Sequence, residues 1–93
     1  MSRRRVLITG ASAGIGAALA RVYAEKGWDL VLTARRKAAL EAHAAEIRAG
    51  HGVDVAVVAA DLSRADAPQR LIEAVTAQGL VVDGLINNAG FSR

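Results

Sequence analysis

The sequence predicts an α/β fold: a parallel sheet wound by unbroken βαβαβαβ alternation, one half of a doubly wound architecture with strand order 3-2-1-4. Three observations predict it. Val, Ile and Leu gather in short runs (Val6-Leu7-Ile8, Leu30-Val31-Leu32, Val53 to Val58, Leu80 to Ile86), the pattern of strands covered on both faces. Between those runs apolar residues recur at helical spacing. Glycines stand where the first strand turns and where each helix stops.

Taken in order, the first strand is Val6-Leu7-Ile8, and the helix after it carries Ile15, Leu19, Val22 and Tyr23 on one face expected to be buried, with Gly27 as its stop. Asp29 to Thr33 reads as the second strand. Leu40, Ala44 and Ile47 stripe a second helix ended by Gly50 and Gly52. The third strand is Asp54 to Ala59. Asp66 is placed to cap a third helix, Pro68 suits its first turn, and Leu71, Ile72 and Val75 form its expected buried face before Gly79. Asp83 to Asn87 is the fourth strand, left as an unpaired edge.

The 93 residues are enough for one small domain, and an apolar share of 53% excludes intrinsic disorder. With no cysteine there is neither a disulfide framework nor a thiolate metal site. No stretch approaches the ~18 apolar residues of a membrane span, so the expectation is a cytoplasmic protein without a membrane partner. The net charge of +3 raises nucleic acid as a partner. Tyr23, Trp28 and Phe91 are not interleaved with basic residues as a stacking platform requires, and a solvated Arg3-Arg4-Arg5 explains the excess better.

The chemistry begins at Thr9-Gly10-Ala11-Ser12-Ala13-Gly14-Ile15-Gly16, between the first strand and first helix. A strand turning through glycines into a helix puts backbone N–H groups and a positive helix end at one point, where a pyrophosphate can sit. The spacing is G-x-x-x-G-x-G rather than G-x-G-x-x-G. Gly10 permits a sharp exit, Gly14 lets a ligand approach bare backbone, and Gly16 lets the helix pack on the sheet. Ser12 and neighbouring amides can donate to phosphate oxygens. A Rossmann-type dinucleotide site is the expectation.

The end of the second strand bears on the coenzyme. Where NAD is chosen, an Asp or Glu roughly 20 residues past the glycines binds the ribose 2′-OH. That place falls on Ala34, followed by Arg35-Arg36-Lys37. No carboxylate repels a 2′-phosphate, and Arg35 and Arg36 can grip one through fork-like hydrogen bonds, so NADP (NADPH) is favoured over NAD. A merely solvated basic turn fits poorly there, because a helix start disfavours cations. Asp61-Leu62 follows the third strand: Asp61 can accept from an adenine amino group while Leu62 lends its amide and packs on the ring, or Asp61 can simply begin a turn or cap the helix. Asn87-Asn88-Ala89-Gly90 ends the fourth strand, with amide side chains able either to touch a ligand or to tie strands.

Together these four pieces resemble the short-chain dehydrogenase/reductase family. The glycine run matches its coenzyme motif, Asp61-Leu62 its adenine-side pair, Asn87-Asn88-Ala89-Gly90 its fourth-strand signature, and Arg35 the basic residue of NADP-preferring members. The resemblance implies that Thr9 helps hold the Asn87-Asn88 turn. It also implies a coenzyme spanning Gly10 to Gly16 (Ala11, Ser12, Ala13 and Ile15 included), Arg35, Asp61 and Asn87 to Gly90. It further implies an NADP(H)-dependent oxidoreductase acting by hydride transfer on a small carbonyl or alcohol, with a homo-oligomer expected at full length. Family members are usually more than twice this length, and their catalytic Ser and Tyr-x-x-x-Lys follow the fourth strand. No catalytic residue is therefore assigned, and residues 1–93 are expected to be a coenzyme-binding domain truncated before its catalytic half, inactive alone. A non-catalytic NADP-sensing module is the alternative.

Other candidates fail. Tyr23-Ala24-Glu25-Lys26 has the wrong spacing, and Tyr23 is expected in the core. No Gly-Lys-Ser/Thr follows the glycines, which excludes an NTPase loop. His43 and His51 lack ligand-spaced partners, so no metal site is assigned and both are expected at solvent-exposed positions. Glu41, Glu46 and Arg48 read as hydrated helix surface, and Ser63 and Ser92 have no base to activate them.

Overall fold

The computed structural model describes residues 4–11, 14–60 and 66–88, the side chains of Ala67 and Pro68 excepted. The chain runs β1 (Arg5–Thr9), α1 (Gly14–Glu25), β2 (Asp29–Ala34), α2 (Lys37–His51), β3 (Val55–Ala59), α3 (Ala67–Ala77) and β4 (Gly84–Ile86). The four strands form one sheet in the order β3-β2-β1-β4, and every pairing is parallel. The expected alternation and strand order are both observed.

Strand pleating sends alternate side chains to opposite faces, so each apolar run feeds two cores. Val6, Ile8, Leu30, Leu32, Ala34 and Val55 meet α1 and α2 through Ala20, Ala24, Leu40, Ala44 and Ile47. Leu7, Val31 and Val58 meet Leu71 and Val75 of α3 on the other face. β2 lies between two strands and beneath helices on both faces, and all six of its residues are buried. At the edge formed by β4, Leu85 is exposed.

α1 corrects the first helical expectation. Its buried residues are Gly16, Ala17, Ala20 and Ala24, while Ile15 and Val22 face solvent and Leu19 and Tyr23 are only partly buried. The helix lies too close to the turn before it for a large inner face. A Cβ on Gly16 would sit 2.2 Å from the Gly10 carbonyl oxygen. The small stripe therefore goes inside and the large one outside.

Further corrections follow from packing. Ile72 is exposed, because it sits about 100° round α3 from Leu71, and Leu71 and Val75 already fill the contact. The Asp66 carboxylate makes no capping hydrogen bond and accepts from Arg70 Nε at 2.7 Å. α2 runs through Gly50 and stops at Gly52, whose left-handed φ of 67° lets its N–H reach the Arg48 carbonyl. Arg48 is exposed as a residue, yet its Nε donates to the Val55 carbonyl at 3.2 Å. His43 is not exposed: it lies on the Leu40-Ala44-Ile47 stripe and is buried with it, whereas His51 is exposed.

At the amino edge of the sheet, Arg5 lies 3.8 Å from both Asp29 and Asp54, and its backbone N–H donates to Asp83 Oδ2 at 2.9 Å. Tyr23 packs edge-on against Trp28 at 5.2 Å between ring centroids, and Arg4 lies over the Trp28 ring. No helix among the described residues is long and apolar enough to cross a membrane.

Candidate functional site

In a parallel sheet all strands end at the same edge, and ligands gather where the strand order reverses. Here that point lies between β1 and β4: the chain steps from β1 to β2 to β3 on one side, then returns to β4 on the other. The glycine turn leaves β1 at this switch point.

Gly10 and Gly14 both take left-handed backbone angles, φ 64° and φ 62°, which residues with a Cβ rarely adopt. Ala11 between them is buried, and its N–H donates to the Thr33 carbonyl at 3.2 Å. Gly14 opens α1, and among the described residues nothing beyond its own chain neighbours and helix backbone lies within 4 Å of where its Cβ would be. Gly16 presents the opposite situation, a contact with Gly10 and Asn88 too tight for any side chain. One glycine leaves the start of α1 bare of a side chain, and the other lets the helix pack against the turn.

The end of β4 is strapped to the end of β1. Thr9 Oγ1 donates to Asn87 Oδ1 at 3.1 Å, and Asn88 Nδ2 donates to the Gly10 carbonyl at 3.3 Å. Thr9 and Asn88 are buried while Asn87 is exposed. The asparagines thus tie strands, one of the two roles open for them, and Thr9 holds that turn as the family resemblance implied. Asn87 remains accessible beside the glycines.

Neither α1 nor α2 carries an acidic residue in its first turn. Arg35 and Arg36 are exposed at the end of β2, where Arg36 stands as the N-cap residue of α2 without a capping side-chain bond. Ala34 is buried and small, so the position that would carry a ribose-binding carboxylate holds none. Ala60 N–H donates to the Ala34 carbonyl, which keeps the end of β3 beside that of β2. Ser12, Ala13, Asp61, Leu62, Ala89 and Gly90 lie outside the described residues.

Two residues at this edge escaped the sequence reading. Thr33 is fully buried, and its hydroxyl has no hydrogen-bond partner among the described residues. His43 reaches α1 with its Nε2 3.2 Å from the Ala17 carbonyl oxygen. A signal for His43 was present, since it falls three residues after Leu40 and four before Ile47. Tyr23, by contrast, comes late in α1 and stacks at the far, amino edge.

A switch point in the strand order, a glycine turn into a helix start and a carboxylate-free end of β2 define the dinucleotide-binding class of doubly wound α/β folds. Within that class the chain belongs to the short chain dehydrogenase family, whose model matches residues 4–93. It is 44% identical over 85 residues to 11-beta-hydroxysteroid dehydrogenase A of Sesamum indicum, covering 91% of this chain and 24% of that protein. L-sorbose reductase from Gluconobacter frateurii, solved with NADPH and L-sorbose, superposes with a TM-score of 0.87 at 34% identity, over 94% of this chain and 33% of that one. A short-chain dehydrogenase from Sphingobium yanoikuyae in complex with NADPH is 46% identical with a TM-score of 0.72, over 77% of this chain and 28% of its own. The chain spans about a quarter to a third of the length of the curated relatives it matches.

Proposed function

We propose that this chain is the coenzyme-binding part of an NADP(H)-dependent oxidoreductase that interconverts a small carbonyl compound and its alcohol. The observation that carries the reading is the pairing of an open, left-handed Gly14 at the start of α1 with Arg35 and Arg36 at a strand end lacking a carboxylate. The residues fit such a group. Among the described residues nothing beyond its chain neighbours and helix backbone crowds the Cβ position of Gly14, and Gly16 sits where any Cβ would push α1 off the turn.

In this reading the amides from Gly10 through Gly16, including those of Ala11, Ser12, Ala13 and Ile15, cradle the pyrophosphate at the positive end of α1. Arg35 and Arg36 hold the 2′-phosphate by charge-assisted hydrogen bonds. Asp61 and Leu62 bound the adenine, and Asn87, Asn88, Ala89 and Gly90 line the ribose side. When bound, the nicotinamide supplies or accepts the hydride, and this chain contributes position and electrostatics. The NADPH complexes of the Gluconobacter and Sphingobium relatives support the choice of coenzyme.

Calorimetric titration of the chain with NADPH and NADH tests the reading. NADPH is expected to bind more tightly, and Arg35→Asp to weaken it by roughly 10-fold to 100-fold, the size of a lost charge-assisted hydrogen bond, with far less effect on NADH. Equal affinity for both coenzymes in the wild type would contradict the assignment of the arginines.

A further inference from the structure

Two contacts hold the start of α1 to the sheet: Gly16 against Gly10 and Asn88, and the Ala11 N–H on the Thr33 carbonyl. A third reaches it from the neighbouring helix. His43, in the second turn of α2, is 8% exposed, and its Nε2 lies 3.2 Å from the carbonyl oxygen of Ala17 in the first turn of α1. A carbonyl oxygen only accepts, so the ring nitrogen donates and its proton sits on Nε2. Helix carbonyls have a second lone pair beside their intrahelical bond, so the contact ties α1 to α2 without unwinding either.

We propose that His43 is a positioning residue that sets the spacing between two anion subsites, the pyrophosphate cradle at the start of α1 and the Arg35-Arg36 pair ahead of α2. The inference rests on the coenzyme reading above and adds to it a residue that touches no ligand. The strand ends are already held in register, with Thr9 opposite Thr33. The helices that follow them have no such ladder and are placed by side-chain packing against the sheet. The fully buried face of α1 is Gly16, Ala17, Ala20 and Ala24, and its large residues Leu19 and Tyr23 are only partly buried against the core, so contact between small residues does most to set how the helix sits on its neighbour. A hydrogen bond is directional where contact between alanines is not. An apolar residue at 43 would bury itself beside Leu40, Ala44 and Ile47 with no polar group to satisfy, so the imidazole contributes geometry rather than area.

The test compares the wild type with His43→Leu, which keeps the burial, and His43→Gln, which keeps a donor able to reach the Ala17 carbonyl. Hydrogen exchange is followed at the amides of residues 14–18 without coenzyme, and affinities for NADPH and NADH are then measured on the same samples. In His43→Leu the first-turn amides of α1 are expected to exchange faster while β2 keeps its protection. NADPH affinity should fall about tenfold and NADH affinity less, narrowing the ratio between them, and His43→Gln should recover most of the loss. Unchanged exchange and an unchanged ratio in His43→Leu would overturn the proposal. So would loss of protection across the whole sheet in both variants, the mark of ordinary core packing. A wild type that binds neither coenzyme overturns the reading beneath, and the coenzyme-free exchange contrast separates that failure from a failure of the tether.

Discussion

At the amino edge of the sheet, Arg5 meets Asp29 and Asp54 and is clasped through its backbone by Asp83, while Arg4 lies over the Trp28 ring and Tyr23 meets that ring edge-on. At the carboxyl edge, the helices begin with no acid in their first turns, Arg35, Arg36 and Lys37 stand in sequence, and nothing beyond its chain neighbours and helix backbone crowds the Cβ position of Gly14 among the described residues. Both edges are built on the same four strands. The amino edge places Arg5 beside carboxylates of the chain, and the carboxyl edge carries Arg35, Arg36 and Lys37 in sequence with no acid in the first turns of α1 and α2. In the proposed reading an anion completes the second in the way that carboxylates complete the first. Stability and binding are then divided between the two ends of one sheet.

Substitutions can break that division, and the largest effect is expected at Gly16. With a Cβ at 2.2 Å from the Gly10 carbonyl and 2.8 Å from Asn88 Nδ2, backbone must move. Gly16→Ala should destabilise by about 3 kcal/mol, the upper end of overpacking, in urea denaturation, and abolish NADPH binding in whatever remains folded. Asp29→Ala comes next. It removes the acceptor of the Asp54 N–H at 2.9 Å and a partner of Arg5, and should lower stability by about 2 kcal/mol. Because the change lies at the opposite edge, NADPH affinity should stay at the wild-type value, and a parallel loss of binding would show that the edges are not separable. The smallest effect has the opposite sign. Thr33→Val replaces a buried hydroxyl that has no partner among the described residues, and should raise the thermal midpoint through a gain of about 1 kcal/mol. A lower midpoint would mean the hydroxyl has a use within the folded chain.

The strands and their order were legible in the sequence because buried parallel strands need unbroken apolar runs, and Leu30-Val31-Leu32 can serve both faces only from the middle of the sheet. The inner face of α1 was not legible by the same logic. Hydrophobicity pointed to Ile15 and Val22, but closeness to the Gly10 turn admitted only Gly16 and alanines, and closeness is a tertiary fact. Ile72 and Asp66 went astray for related reasons: helical periodicity does not say how wide a contact is, and a carboxylate placed to cap can turn to an arginine one turn on. At the site, the sharp turn at Gly10 and the close packing at Gly16 followed from the glycine motif, and the Thr9–Asn87 strap agrees with what the family resemblance implied. His43 was misplaced because a lone histidine was weighed for metal ligation and not for its place on an apolar stripe.

The central claim is that the carboxyl edge, and not the amino edge, is completed by a phosphorylated coenzyme. Backbone amide NMR of the labelled chain during titration with NADPH tests it most directly. The account predicts shifts at Gly10, Ala11, Gly14 to Gly16, Arg35 and Arg36, with Arg5, Asp29, Asp54 and Asp83 unmoved. Shifts centred on the amino-edge residues, or none at saturating NADPH in a folded chain, would contradict it.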